Sequence, residues 1–263
     1  MVWPDERTAR RALAEAAREI YQRKLSGATD GNLSVRLANG HIATTPSGVH
    51  KGRLLPEDIV ITDLLGKVQG QVREKSGRRL KPSSELALHL AAYEIRPDIG
   101  AVVHAHPPMA LAYTLAGGKL SEVLVSEVVF ACGEIATAPY STPTTMQVPE
   151  TLKEYLGCYD VVMMPRHGSV TVGVDLDTAL GRLDALEHTA GVYVMVRLMG
   201  GASPIATQEV DKLFSLAHPQ TPPYRQPGRA CPPPEVPAPP LHAGAQGEEV
   251  LVQAVLSALQ GRR

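Results

Sequence analysis

The sequence predicts one mixed α+β layered domain, followed by a proline-rich linker and a short terminal helix. Three observations carry that prediction. Strand-like apolar segments come in runs bracketed by helical periodicity, with few alternating strand–helix units, which favours mixed layers over a doubly wound sheet. A hydrophobic fraction of 44% in 263 residues is enough to bury a core without staples. Ten of the 22 prolines crowd into residues 219–240, where helix hydrogen bonds cannot be kept and a stiff, extended chain is preferred.

Residues 1–217 are read as the domain, 218–240 as the linker and 241–263 as the terminal helix. The first helix is expected over 5–25, with Ala9, Leu13, Ala16, Ala17 and Ile20 on one face. Residues 33–37 and 41–44 flank Ala38-Asn39-Gly40 and read as a β-hairpin. A third strand spans 59–62, and beyond the turn at 63–66 another lies near 67–72. Pro82 introduces a helix over 83–95 with Leu86, Leu90 and Tyr93 inward. Strands follow at 101–104, 123–131, 160–164 and 169–174, then a long helix over 177–199 and a short one over 208–216. In the appendage, Val252, Val255, Leu256 and Leu259 fall at helical spacing behind Glu248-Glu249, acidic residues suited to a helix N-terminus.

Composition excludes several classes. A net charge of −1 and a pI near 6.8 give no global reason to bind nucleic acid or an anionic membrane. With one Trp, eight Tyr and two Phe the core must be aliphatic and base-stacking platforms are not expected. The N-terminus lacks an apolar leader, and the longest stretch free of Asp, Glu, Lys and Arg, residues 99–118, carries two histidines and two prolines. A soluble, cytoplasmic protein is expected. Cys132, Cys158 and Cys231 form no CxxC pair and read as reduced thiols.

The chemistry-bearing residues sit at strand and helix ends. His104-Ala105-His106 closes the apolar strand Ala101-Val102-Val103, and alternate residues of a strand share a face, so both imidazoles can converge on a metal. Alone, the pattern serves a polar strand end equally well. His167, in Pro165-Arg166-His167-Gly168, ends another buried strand, with a glycine behind it to allow an unusual turn; by itself it also reads as a core histidine. Three histidines with no evident fourth ligand suit an open catalytic zinc site. Glu85, in Pro82-Ser83-Ser84-Glu85, stands at a helix start where free N–H groups and two hydroxyls favour an anion, although a plain helix cap has the same composition. Asp30-Gly31-Asn32 and Thr45-Pro46-Ser47-Gly48 offer the small residues and open backbone of a phosphate nest, or of any loop. Six basic residues against Glu74 between Lys67 and Lys81 are a solvated ribbon or a steering surface for an anionic substrate. His41, His50, His89, His188, His218 and His242 have no spacing that recruits them and are left to the surface or to supporting roles.

Taken together and in order, Gly31-Asn32-Leu33-Ser34-Val35-Arg36, Thr45-Pro46-Ser47-Gly48, Pro82-Ser83-Ser84-Glu85, Val102-Val103-His104-Ala105-His106 and Arg166-His167-Gly168 resemble the class II aldolase/adducin family over residues 5–217. The resemblance implies a three-layer αβα fold around a mainly antiparallel sheet and a homotetramer. It implies one Zn2+ per subunit on His104, His106 and His167, with Glu85 as catalytic acid/base. It implies that Gly31, Asn32, Ser47, Gly48, Ser83 and Ser84 hold or shape a substrate phosphate. The implied reaction cleaves a ketose 1-phosphate, such as L-fuculose 1-phosphate, through an enediolate to dihydroxyacetone phosphate and an aldehyde such as lactaldehyde. Methylthioribulose-phosphate aldolase or dehydratase, L-ribulose-5-phosphate 4-epimerase and sugar-acid phosphate decarboxylase chemistries share the scaffold, as does the non-enzymatic adducin head. The family's fuculose-phosphate aldolases carry a tyrosine in the stretch matching residues 124–130, which here has none; Glu127 and Tyr140 stand near it, unassigned. The proline-rich linker and terminal helix resemble the encapsulation peptides that bring enzymes to microcompartment shell proteins.

Overall fold

The computed structural model describes residues 2–70, 77, 79–217 and 231–234. Seven strands form one sheet: β1 (Asn32–Arg36), β2 (Ile42–Thr44), β3 (Val60–Thr62), β4 (Ala101–Ala105), β5 (Ile135–Thr137), β6 (Val161–Met164) and β7 (Gly168–Gly173), in the order β3-β2-β1-β4-β7-β6-β5. Every pairing is antiparallel except β5 with β6. The helices are α1 (Glu6–Gln22), α2 (Leu86–Ile95), α3 (Pro108–Leu115), α4 (Glu127–Cys132), α5 (Gln147–Leu156), α6 (Leu176–Leu198) and α7 (Thr207–Ala217). This is the expected α+β arrangement, with helices on both faces of a mainly antiparallel sheet.

Period-two alternation divides the sheet's faces. Leu33, Val35, Ala101, Val103 and Ala105 pack with α1 and the start of α6, whereas Val102, Val170 and Val172 pack with Leu88, Ala92 and Tyr93 of α2 and with α5. The same alternation commits Asn32, Ser34 and His104 to the α2 side. α1 is capped by Asp5, which accepts from the Thr8 N–H at 2.9 Å. It stops short of residue 25 because Lys24 turns left-handed at φ 61 and the Leu25 N–H folds back onto Ile20 O.

The structure corrects several expectations. Residues 123–131 do not form a strand: Val128, Val129 and Cys132 go instead onto α4, buried against Leu186, Ala190 and Tyr193, and tertiary burial overrides the β propensity of that run. The edge strand β5 and helices α3 and α5 are additional to the expected elements. The strand near 67–72 reduces to one bridge, Thr62 to Val68, while residues 71 and 72 lie outside the described residues. Leu90 is only partly buried, and it is Leu88 that takes the inward position. The expectation of three reduced thiols is overturned by a disulfide between Cys158 and Cys231. Cys132 alone is a free thiol among the described residues, and burial pushes it up to about 12. The disulfide holds residues 231–234 of the proline-rich segment against the sheet edge, where Tyr159 donates to Pro232 O and the Thr137 N–H of β5 to Pro234 O. That contact covers part of an edge strand that would otherwise present open donors.

A buried ion network ties α2 to β6 and α6. Arg96, 2% exposed, binds Asp98, Asp160 and Leu156 O, and Arg182 binds the second oxygen of Asp160 and Val172 O. Removing one partner strands the others in a dry setting, so Arg96→Met is expected to cost about 3–5 kcal/mol, measured by urea unfolding.

Candidate metal centre and acid–base site

Four side chains meet at the end of the sheet on the α2 face. β4 delivers His104, and its exit delivers His106, held by its N–H on Leu25 O. Pro107 then turns the chain into α3, whose first free N–H groups, Met109 and Ala110, are capped by both carboxylate oxygens of Glu187 from α6. His167 sits on the β6–β7 turn. There Arg166, not Gly168, takes the left-handed conformation (φ 60), and Gly168 is needed because a Cβ would lie 2.4 Å from Ala105 O and 2.6 Å from the His106 ring. Glu85 is the N-cap residue of α2.

His104 Nε2 lies 3.2 Å from His106 Nε2 and 3.3 Å from Glu85 Oε2, and His167 Nε2 lies 3.1 Å from Glu85 Oε1. One ring nitrogen from each histidine falls within 4.8 Å of the others. His104 is fully buried and donates from Nδ1 to Ser169 O at 2.9 Å, which turns Nε2 toward the cluster. Burial, with repulsion from His104 and His167, pushes His106 down to about 4, so this ring is neutral near pH 7. Burial works to raise Glu85, yet hydrogen bonds to His104 and His167, and that from Asn32, hold it far below the usual carboxylate range. Three imidazole nitrogens converge beside an anionic carboxylate, where one cation would be bound by all of them. The residues therefore fit a divalent cation on His104, His106 and His167, an N3 set of the open catalytic kind.

The candidate phosphate residues divide into two groups. Ser47, Gly48 and Ser84 are exposed, and a bridge between Pro46 and Pro82 with Ser47 N–H on Lys81 O brings the two loops side by side. Gly48 has φ +69, and Thr45 ties its loop to β1 by accepting from the Leu33 N–H. Ser83, by contrast, is buried and turns its hydroxyl to the Glu85 N–H. Gly31 is buried, where a Cβ would meet Ser26 Oγ at 2.4 Å and His104 O at 2.8 Å. Asn32 pairs with His104 across the β1–β4 ladder and donates from Nδ2 to Glu85 Oε2 at 2.9 Å. Glu127 is exposed with Ser126 on its carboxylate, and Tyr140 is exposed. A cavity of about 160 Å3 opens beside Glu85, between Ser84 and Leu88 on one side and Thr144, Thr145 and Met146 on the other.

Two residues that sequence reading left out belong to this region. His89 is fully buried and hydrogen-bonds to Asn32; the signal was its place four residues after Glu85, one helical turn along the same stripe. Lys51, 1% exposed, follows the Thr45–Gly48 loop and donates to Thr29 O behind Gly31. Burial pushes its ammonium from 10.5 down to about 8, against the pull of Asp30. Since the unfolded chain keeps its proton through that interval, stability is expected to rise with pH from about 8 to 10.5. Wild type should gain on Lys51→Met there, by on the order of 3 kcal/mol at most, in paired urea titrations across that range.

A convergent histidine triad with a carboxylate is the mark of a metal-dependent enzyme, and comparison with known proteins says which kind. The model of the class II aldolase and adducin N-terminal domain matches residues 11–194, so the chain belongs to that family. It is 30% identical, over 78% of its length and 92% of the relative's, to a 5-deoxy-D-ribulose 1-phosphate aldolase of Bacillus thuringiensis. It is 37% identical, over 67% and 88%, to a methylthioribulose-1-phosphate dehydratase of Methylococcus capsulatus. The crystal structure of the L-fuculose-1-phosphate aldolase from Thermus thermophilus superposes with a TM-score of 0.58 at 30% identity, covering 76% of this chain and all of that one. With triad and carboxylate in place, the chain stands among the family's metal-dependent lyases rather than with its non-enzymatic members. No helix among the described residues is long and apolar enough to cross a membrane.

Proposed function

We propose that the protein is a zinc-dependent aldolase that cleaves a ketose 1-phosphate, L-fuculose 1-phosphate or a close analogue, to dihydroxyacetone phosphate and an aldehyde such as lactaldehyde. The observation that carries this is Glu85, an ionised carboxylate about one hydrogen-bond length from His104 and His167 at the mouth of a cavity. A divalent cation on His104, His106 and His167, when bound, supplies Lewis acidity toward the ketone and hydroxyl oxygens. Ser47, Gly48 and Ser84 present hydroxyls and backbone N–H groups to the phosphate, with Asn32, Ser83 and Gly31 shaping the pocket behind them; anchoring the unreactive end fixes the reacting carbon near Glu85. In the condensation direction Glu85 takes the proton from the carbon beside the ketone, the electron pair left there attacks the aldehyde carbon, and the aldehyde oxygen takes up a proton from water. In cleavage that hydroxyl gives its proton to water as the bond between the carbons breaks, and Glu85 returns the proton to the carbon beside the ketone.

A second reading has its own support in the 37% identity to a dehydratase and in the lack of tyrosine in residues 124–130. There Glu85 removes the same proton, but the neighbouring carbon loses its hydroxyl as water and the carbon–carbon bond stays. The two separate in one experiment. The purified chain is given L-fuculose 1-phosphate or methylthioribulose 1-phosphate, with and without a chelator, and dihydroxyacetone phosphate release and loss of water are followed. Chelator-sensitive dihydroxyacetone phosphate from the first supports the aldolase. A dehydrated product from the second, with no release from the first, replaces it.

The reading extends to assembly and location. Met109 and Leu115 of α3 and Met195, Leu198 and Met199 in and just after α6 are exposed apolar residues, which support a homotetramer. The segment 241–263 lies outside the described residues; its sequence periodicity supports a targeting helix for a microcompartment shell protein inside the cytoplasm. Deleting it should leave catalysis intact and abolish co-purification with shell protein.

A further inference from the structure

α2 places Glu85, His89 and Tyr93 at four-residue spacing, so one stripe of the helix faces Asn32 and Ser34, which alternate onto the same side of β1. Four contacts run through this seam. Tyr93 Oη lies 2.9 Å from Ser34 Oγ, and Ser34 Oγ lies 2.6 Å from His89 Nδ1. His89 Nε2 lies 2.5 Å from Asn32 Oδ1, and Asn32 Nδ2 lies 2.9 Å from Glu85 Oε2. All but Glu85 are buried, His89 and Ser34 completely.

Donor and acceptor chemistry orients every member. An ionised Glu85 only accepts, so Asn32 must turn its NH2 toward it and its carbonyl toward His89. That carbonyl also only accepts, so the proton of His89 sits on Nε2. Its Nδ1 is then an acceptor for the Ser34 hydroxyl, and Ser34 in turn accepts from Tyr93. Turning any one group leaves a buried donor or acceptor unpaired.

We propose that His89 is a positioning residue: by holding the Nε2–H tautomer between Ser34 and Asn32, it locks the Asn32 amide and through it the Glu85 carboxylate in the orientation that meets the substrate carbon. The proposal rests on Glu85 being the base, and the relay can be read without turnover. In the zinc-loaded full-length chain carrying 15N-histidine, with the His89 signal identified by its loss in His89→Gln, wild type is expected to show a protonated Nε2 and bare Nδ1 from about pH 6 to 8. A protonated Nδ1 overturns the relay whatever the substrate proves to be.

Kinetics then test its purpose. His89→Leu keeps bulk but no hydrogen bond, and is expected to lower kcat by about 10- to 100-fold, the scale of a misplaced catalytic group, with KM and zinc content little changed. His89→Gln, whose amide can donate to Asn32 and accept from Ser34, should recover most of the loss. Equal kcat in the two variants, or an effect confined to KM, makes His89 a packing residue and sinks the proposal. If neither ketose phosphate is turned over by wild type, deuterium exchange into dihydroxyacetone phosphate takes the place of kcat. A wild type that shows the tautomer yet exchanges no proton would fault the assigned reaction and leave the hydrogen-bonded relay standing.

Discussion

Glu85→Gln is expected to lower kcat by roughly 10²- to 10⁴-fold, the usual contribution of a general acid or base, while the chain still binds one zinc through His104, His106 and His167. The substitution keeps shape and removes charge. An amide has no basicity to take the proton beside the ketone, while its carbonyl oxygen can still accept from the Asn32 NH2 that now lies 2.9 Å from the carboxylate. The decisive measurement is exchange of that proton on dihydroxyacetone phosphate in deuterium oxide, followed by NMR. It needs no aldehyde, so it reports on Glu85 whichever ketose 1-phosphate the aldolase cleaves. Exchange in Glu85→Gln at the wild-type rate, with metal bound, would move the base elsewhere. Loss of metal together with exchange would instead give Glu85 a share in holding the cation.

The site was more legible in the sequence than the sheet around it. His104 and His106 announce themselves because a strand's period of two puts them on one face, and the register of β4 on β7 follows that reading. Glu85 was legible as a helix start. What stayed hidden depended on partners distant in sequence. The apolar run Val123-Leu124-Val125 and Val128-Val129 has strand composition, and only its burial against α6 makes the second half a helix. β5 is three residues long, too short for a period-two pattern to declare itself. Cys158 and Cys231 are 73 residues apart, and no spacing rule pairs them. His89 lay within reach, four residues from Glu85, but a buried histidine stripe shows its purpose only when β1 places Asn32 and Ser34 opposite. The sequence suggests that the glycine after His167 allows an unusual turn; Arg166 makes that turn, and the glycine's role is to leave space.

That space sets the second large effect. Gly168→Ala would drive a methyl to 2.4 Å from Ala105 O and 2.6 Å from the His106 ring, with the His104 ring at 3.0 Å. Two of those three neighbours are the proposed cation ligands and the third is the backbone between them, so no flexible side-chain end can give way. The β4–β7 ladder must spread where His104 and His106 are held, and the variant is expected to lose about 1–3 kcal/mol of stability, the range for overpacked cores. The larger loss should be in metal affinity, because a ring displaced by even a fraction of an ångström leaves an N3 set out of geometry for zinc. Gly48→Ala is the matched control. Unlike Gly168, it demands a left-handed backbone, at φ +69, but nothing lies within 4 Å of its added carbon. It should cost about 1–2 kcal/mol in backbone strain with zinc affinity unchanged. Competition with a chromophoric chelator compares the two directly. Weak zinc in Gly168→Ala alone ties the loss to crowding at the ligands, whereas equal weakening in both would tie it to stability, and wild-type affinity in both would mean that β4 and β7 can part without moving the histidines.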